Sequence, residues 1–308
     1  MASKNPGNTD RWRELSVSLN RIGAVTEAQG DPSGAAEKYR AALGFIEELT
    51  KNHPSNDGWQ ADLSFTHDRL GDALQTQGDL TGALREFRAR LAIAEALAAK
   101  SPADSGRQRE LASAHNKVGY VLSAQHDMTG AASEFRAAAD AARHGAEQEA
   151  ASTDWQGILV AALIGLGAAE LEAGDRTGAL IASEEALKTQ RLLYAAGSTP
   201  QAKEALVQAL GQNSFVLLFN RRAPEAAKWA EEALALDPSA VWIETNRAHA
   251  YLFLGRFDEA KAIYLDNKDK RVPGGRTFAT AVIDDFEMFR KNGIDIPAMH
   301  EIETLLSS

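Results

Sequence analysis

Apolar, glycine and acidic positions recur along the chain in one register. Gly23, Gly71, Gly119 and Gly167 lie 48 residues apart, and each follows an aliphatic residue: Ile22, Leu70, Val118 or Leu166. Seven residues on come Gly30, Gly78, His126 and Gly174, each followed by an aspartate (Asp31, Asp79, Asp127, Asp175). Then come Gly34, Gly82, Gly130 and Gly178, each followed by an alanine (Ala35, Ala83, Ala131, Ala179). Four residues past the alanines stand Tyr39, Phe87, Phe135 and Ser183. No stretch sustains the apolar-polar alternation of a strand. Frequent alanine, with few β-branched and aromatic residues, favours helix throughout.

Each column has a physical reason. A mid-helix glycine costs about 1 kcal/mol relative to alanine, so an aliphatic-glycine pair is expected where a second helix packs closely. The alanine is expected to meet that notch, with the aromatic filling the space beside it. The Gly-Asp pair ends one helix and starts the next: glycine takes the left-handed position after the helix, and aspartate caps the following one. In the first unit Pro32 follows, which suits a first helical turn. Each unit is therefore predicted to be a helix, a tight turn and an antiparallel helix.

These residues resemble the tetratricopeptide repeat family, whose 34-residue motif carries Leu-Gly, Tyr, Gly, Ala, an aromatic, Ala and Pro in order. Leu70-Gly71, Gly78, Ala83 and Phe87 match that spacing, as do Ile22-Gly23, Gly30, Ala35, Tyr39 and Ala42. The units depart from the motif in length, by about two extra turns on each helix. Trp12, Trp59 and Trp155 start the long first helices, with Arg107 in that place in the third unit. Ala226, Ala233 and Pro238 fit a fifth unit, and Ala248, Tyr251, Gly255, Ala260 and Tyr264 a sixth of ordinary length. The resemblance implies an all-α fold: a right-handed superhelical solenoid of antiparallel helix pairs, about six repeats plus a C-terminal helical cap.

The organisation expected is a linker-like start over 1–10 and a repeat array over 11–268. Its units lie near 11–54, 59–102, 107–150, 155–198, 203–238 and 239–268, and capping helices follow over 276–308. In the last segment, Phe278, Ala281, Val282, Phe286 and Phe289 place apolar residues on or near one face of a helix over 277–291. Gly293 ends that helix and Pro297 starts a short last one. Pro6, Pro54 and Pro102 are again 48 apart, so the chain is read as opening inside an inter-repeat linker. An excised C-terminal fragment and a natural start at that point both fit. Long units of this sort look like those of bacterial signalling and defence proteins, which implies an upstream effector domain.

Charge narrows the partners. The net charge is −10 and the pI about 5.3, which argues against nucleic acid and anionic membranes, since both need a basic footprint. The short basic run from Lys268 to Arg271 reads as a solvated loop. No cysteine is present, so disulfides and thiolate chemistry are excluded. The start lacks a secretory pattern, and a cytoplasmic location is expected. The apolar run from Ile158 to Ala169 reads as a buried helix, being short for a bilayer.

No enzyme signature and no cofactor or metal site is found. Gly165 and Gly167 begin a dinucleotide-like pattern but lack its third glycine and preceding strand. His67 and His115 share a repeat position. First helices of adjacent repeats lie about 10 Å apart, too far for one zinc ion, so packing or solvent contact is expected. Asp284 and Asp285, as neighbours on a helix, point about 100° apart and read as a charged face.

By family resemblance the first helices line a concave partner-binding groove. Carried over position by position, the groove residues are Asn20 and Arg21, Asp68 and Arg69, and Asn116 and Lys117, with Asp72 and Tyr120 one turn on. An asparagine can both donate to and accept from an extended peptide, and the cations can hold a carboxylate. An acidic or C-terminal peptide is favoured, although Asp68 and Asp72 depart from a simple carboxylate clamp. In the fifth and sixth units the matching positions are Phe215, Leu218 and Phe219, then Trp242, His249 and Phe253. Of these Phe215, Phe219, Trp242 and His249 are the candidates for an apolar anchor, with core packing as the alternative. The function expected is protein-protein interaction, as the recognition part of a larger signalling or defence protein. The alternatives are a self-associating scaffold and a regulatory sensor of an upstream effector enzyme.

Overall fold

A computed structural model describes residues 6–149 and 152–307, with side chains from residue 9 onward. The linker expectation for residues 1–5 lies outside the described residues. Among the described residues fourteen helices follow in order: α1 (Pro6–Ala28), α2 (Pro32–Asn52), α3 (Asp57–Thr76), α4 (Leu80–Lys100), α5 (Ser105–Ala124), α6 (Met128–Gln148), α7 (Thr153–Glu172), α8 (Arg176–Ala196), α9 (Pro200–Phe219), α10 (Ala223–Leu236), α11 (Val241–Phe253), α12 (Phe257–Asn267), α13 (Phe278–Lys291) and α14 (Pro297–Ser307). Among the described residues the only β pairing is an isolated bridge between Arg271 and Thr277. The fold is all-α, built from helix pairs. One boundary is corrected: residues 6–10, expected as linker, already belong to α1. Pro6 suits a first helical turn, whereas its counterparts Pro54 and Pro102 lie in turns.

The turn inside each pair is the same small machine. Gly30, Gly78 and Gly174 have φ of 82°, 81° and 87°, the left-handed region where only glycine is free of strain. His126 takes that conformation at φ 62° in the third pair, and Arg221 at φ 58° in the fifth. The aspartate after it does two jobs. Its backbone N–H closes the helix behind (Asp79 to the Leu74 carbonyl, 2.9 Å), while its carboxylate accepts from the third N–H of the helix ahead (Gly82 to Asp79, 2.9 Å). The same pair of bonds recurs at Asp31, Asp127 and Asp175. This also explains the column Gly34, Gly82, Gly130 and Gly178: a Cβ there would run into the capping carboxylate.

The notch glycines meet rings rather than alanines, which corrects the expected packing. A Cβ on Gly23, Gly71 or Gly119 would stand 2.5, 2.6 or 2.9 Å from Tyr39, Phe87 or Phe135. The aromatic side chain occupies the notch on the helix opposite. In the fourth pair Ser183 replaces the ring, and a Cβ on Gly167 would meet nothing nearer than the Ala179 carbonyl at 3.4 Å.

The chain divides into two compact units, Met1–Ile158 and Leu159–Ser308. The first repeats one design, with Ala35, Tyr39, Ala83, Phe87, Ala131 and Phe135 fully buried. The second has a core of a different kind: Phe219, Tyr264, Phe278, Phe286 and Phe289 are all buried, joined by Met299 and Ile302 of α14. The C-terminal helices therefore share the core of α9, α11 and α12 instead of forming a separate region. Helix α7 is apolar and, at 20 residues, long enough to cross a membrane. Its residues Leu159, Leu163, Leu166 and Leu171 are nevertheless buried in the protein, as a core helix requires.

Candidate functional site

In the first unit much of the expected polar ladder is an internal fastening. Asn20 is buried and donates its Nδ2 to the Thr66 hydroxyl at 2.9 Å, tying α1 to α3. Thr66 sends its own hydrogen to the Asp62 carbonyl at 2.9 Å, so its oxygen must accept, which fixes the amide orientation. Asn116 is likewise buried and donates to the Ile158 carbonyl at 3.4 Å. Both Oδ1 atoms are sealed from solvent without a partner, a cost of about 1–3 kcal/mol each. Asn20 and Asn116 are thus corrected from groove contacts to inter-helix ties. Asp68 pairs with Arg90 of α4 at 3.3 Å. Lys117 pairs with Asp72 across α5 and α3 and lies 5.3 Å from the centre of the Phe87 ring.

The remaining ladder residues are Arg21, Arg69 and Tyr120. Arg21 is exposed and carries no ion pair among the described residues. Arg69 lies over Phe65 of its own helix, 5.1 Å from the ring centre. Tyr120 is 41% exposed while its ring edge meets Phe135, with centres 4.9 Å apart. Arg21 and Phe65 help to line a cavity of about 290 Å³ between α1 and α3, with Val17, Ala24 and Ile46 as apolar wall. The other charges there, Arg13 and Asp62, are paired to each other at 2.6 Å, so among the described residues Arg21 is the charge of the lining that has no ion pair.

His67 and His115, which share a repeat position, each meet a carboxylate on the returning helix. His67 Nδ1 is 2.8 Å from Glu86 Oε2, and His115 Nδ1 is 2.7 Å from Glu134 Oε2. Glu86 and Glu134 lie 19 residues downstream of their histidines and meet them only through the fold. Burial pushes the Glu86 pKa up, but hydrogen bonds from His67 and Arg85 outweigh this and leave it below the usual value.

In the second unit the four aromatic candidates separate. Phe219 and His249 are corrected to core: Phe219 packs on Phe289 with ring centres 4.6 Å apart, and His249 is wholly buried. His249 Nδ1 is 2.8 Å from the Tyr264 hydroxyl and Nε2 is 3.1 Å from Asp285 Oδ2. Burial, and next the charge of Asp285, hold the Tyr264 pKa well above the usual range. Its hydroxyl therefore stays protonated and can donate to Nδ1, placing the ring hydrogen on Nε2 toward Asp285. Asp285 is thus more than part of a charged face. Its neighbour Asp284 turns outward to Arg276 at 2.6 Å. Phe215 and Trp242 are half-buried and line a second cavity, of about 310 Å³, with Gln212, Asn246 and Asp285. Trp242 lies against Gly211, where any side chain would displace it.

No family model and no curated protein matches the sequence. Solved structures share its fold. The apo form of RapI has 10% identity over 95% of this chain and 96% of its own, with a TM-score of 0.62. A Rap protein complexed with competence and sporulation factor has 14% identity over 95% of this chain and 73% of its own, at 0.53. An assembly chaperone of RpL4 has 12% identity over 95% of each chain, at 0.52. Likeness at these identities concerns fold, and it agrees with the repeat read from the sequence. By fold, the chain is a helical repeat protein of the tetratricopeptide type.

Proposed function

We propose that the chain is a protein-interaction module that binds a peptide bearing a carboxylate beside an apolar side chain. The observation that carries this reading is the unpaired Arg21 at the apolar cavity between α1 and α3. In a chain of net charge −10, an unpaired guanidinium at a cavity mouth is a local positive site for an anion. Val17, Ala24, Ile46 and Phe65 would take the apolar side chain. A C-terminal apolar residue, or an acidic residue next to one, supplies both groups. The like folds of a Rap protein complexed with a factor and of an assembly chaperone are in keeping with recognition. Such a module fits the recognition part of a larger signalling or defence protein.

The test is selection from a random peptide library with free C-termini, followed by titration of the recovered peptides in free-acid and amidated form. Binding should weaken about tenfold on Arg21→Ala, and on amidation too where the carboxylate is the C-terminal one, as for loss of one charged hydrogen-bonded contact. Recovered peptides that bind Arg21→Ala as tightly as the original chain would end this reading.

A second reading, self-association, is favoured by one face of α1. Ile22 and Val25 are 49% and 59% exposed, while their counterparts Leu70, Val118 and Leu166, and Ala73, Val121 and Ala169, are buried. This face has the pattern that receives another helix pair elsewhere in the array. Light scattering that shows a monomer at high concentration would count against it.

A further inference from the structure

The second-unit cavity, walled by α9, α11, α13 and the segment before α13, is rich in hydrogen-bond acceptors. Gln212 donates its Nε2 to the Ile164 carbonyl at 2.8 Å, and Asn246 its Nδ2 to the Gly211 carbonyl at 2.7 Å. Those bonds orient both amides and leave their oxygens to accept. The nearest donor to Asn246 Oδ1 is the Thr245 hydroxyl at 3.4 Å, but its one hydrogen is better placed on the Trp242 carbonyl at 2.7 Å. Asp285 commits Oδ2 to His249, and its Oδ1 meets no donor among the described residues. The cation in the lining, Arg276, is bound to Asp284. The cavity thus offers the Asp285 carboxylate, with no Lys or Arg partner among the described residues, and two amide oxygens, and its lining includes the rings of Phe215 and Trp242.

We propose that this cavity receives the guanidinium of an arginine side chain presented by a protein partner. Guanidinium carries five N–H donors in a flat fork and no acceptor, which matches the carboxylate and the two amide oxygens. A flat cation also lies well on aromatic rings. A compact ammonium would use fewer of these contacts. No unpaired cation lines the cavity to hold the α-carboxylate of a free amino acid, so the fit is to arginine within a polypeptide. The site shares no residue with the Arg21 cavity, and either can fail alone.

The test titrates the full chain with acetyl-Gly-Arg-Gly-amide and follows the Trp242 indole N–H resonance, assigned by its loss in Trp242→Phe. A saturable shift is expected. The citrulline version of the peptide, alike in shape but uncharged, should bind about tenfold more weakly or worse, as should the arginine peptide on Asp285→Asn. Asparagine keeps an oxygen for His249, so the core contact survives. Should the variant fail to fold, the citrulline comparison on the original chain decides. No saturable shift, equal binding of the citrulline peptide, or undiminished binding to Asp285→Asn would overturn the proposal. A lysine peptide bound as tightly as the arginine one would overturn the choice of guanidinium.

Discussion

The two units fasten their helices in different ways. In the first, three pairs share one turn, one notch and one aromatic lid, and two polar ties between first helices join side chains, Asn20 to Thr66 and Lys117 to Asp72, while a third runs from the Asn116 amide to the Ile158 carbonyl. In the second, the ties run from an amide to a backbone carbonyl: Gln212 to Ile164, Asn246 to Gly211. The caps differ too, although the carboxylate kind runs on into the second unit at Asp175. Asp31, Asp79, Asp127 and Asp175 cap with a carboxylate, whereas Arg222 and Arg256 stand at the later caps without a side-chain cap bond. Each instead grips the glutamate three residues on, at 2.6 Å to Glu225 and 2.7 Å to Glu259. One geometry is thus reached by two chemistries, and only the first is visible as a sequence repeat.

The sharpest way to break this comparison is at the notches. Gly71→Leu should destabilise the fold by about 3 kcal/mol or more, since its Cβ alone would fall 2.6 Å from the Phe87 ring. Gly167→Ala meets nothing within 3.4 Å and gains helix propensity, so it should be neutral or stabilising by up to about 1 kcal/mol. Thermal melts of the pair check this, and equal effects would show that the aromatic lids do not matter.

Within the second unit, His249→Leu strips Tyr264 and Asp285 of their buried partner. It should cost about 1–3 kcal/mol, read from chemical denaturation. A mild effect would mean that the aromatic core of this unit does not depend on its polar centre. Asp79→Ala removes a cap and should cost about 1 kcal/mol, while Arg222→Ala removes an exposed pair and should cost less. The reverse order, measured the same way, would undo the distinction between the two kinds of cap.

The smallest effect concerns pH. The Glu86 pKa is lowered in the fold, so its contribution is present above the usual carboxylate range and is lost as pH falls through the depressed value. Stability should therefore decline on acidification below about pH 4.5 less steeply in Glu86→Gln than in the original chain. Parallel curves from denaturation at several pH values would remove His67-Glu86 from the account.

How much of this was legible in the sequence follows the same division. Gly30-Asp31 and its counterparts specify the turn residue by residue, because glycine and aspartate act locally. The notch was legible, but its partner was misassigned: Phe87 touches Gly71 only because its side chain leans back one turn. The groove was the least legible. Asn20 and Arg21 are sequence neighbours, yet one is sealed against Thr66 and the other stands free, since a helix turns about 100° per residue. His249 read as a groove residue until α13 brought Phe286, Phe289 and Asp285 over it. Asp285 and Gln212 went unread as site residues because neither stands in a motif column. The one available signal was a pair of adjacent aspartates.

The central claim is that this chain recognises a protein partner through its Arg21 cavity. Affinity capture from source cells with the original chain and with Arg21→Ala, compared side by side by mass spectrometry, tests it most directly. The account predicts proteins enriched on the original chain and lost on the variant, with unchanged helicity of the variant. Capture of the same proteins in equal amounts by both would contradict it.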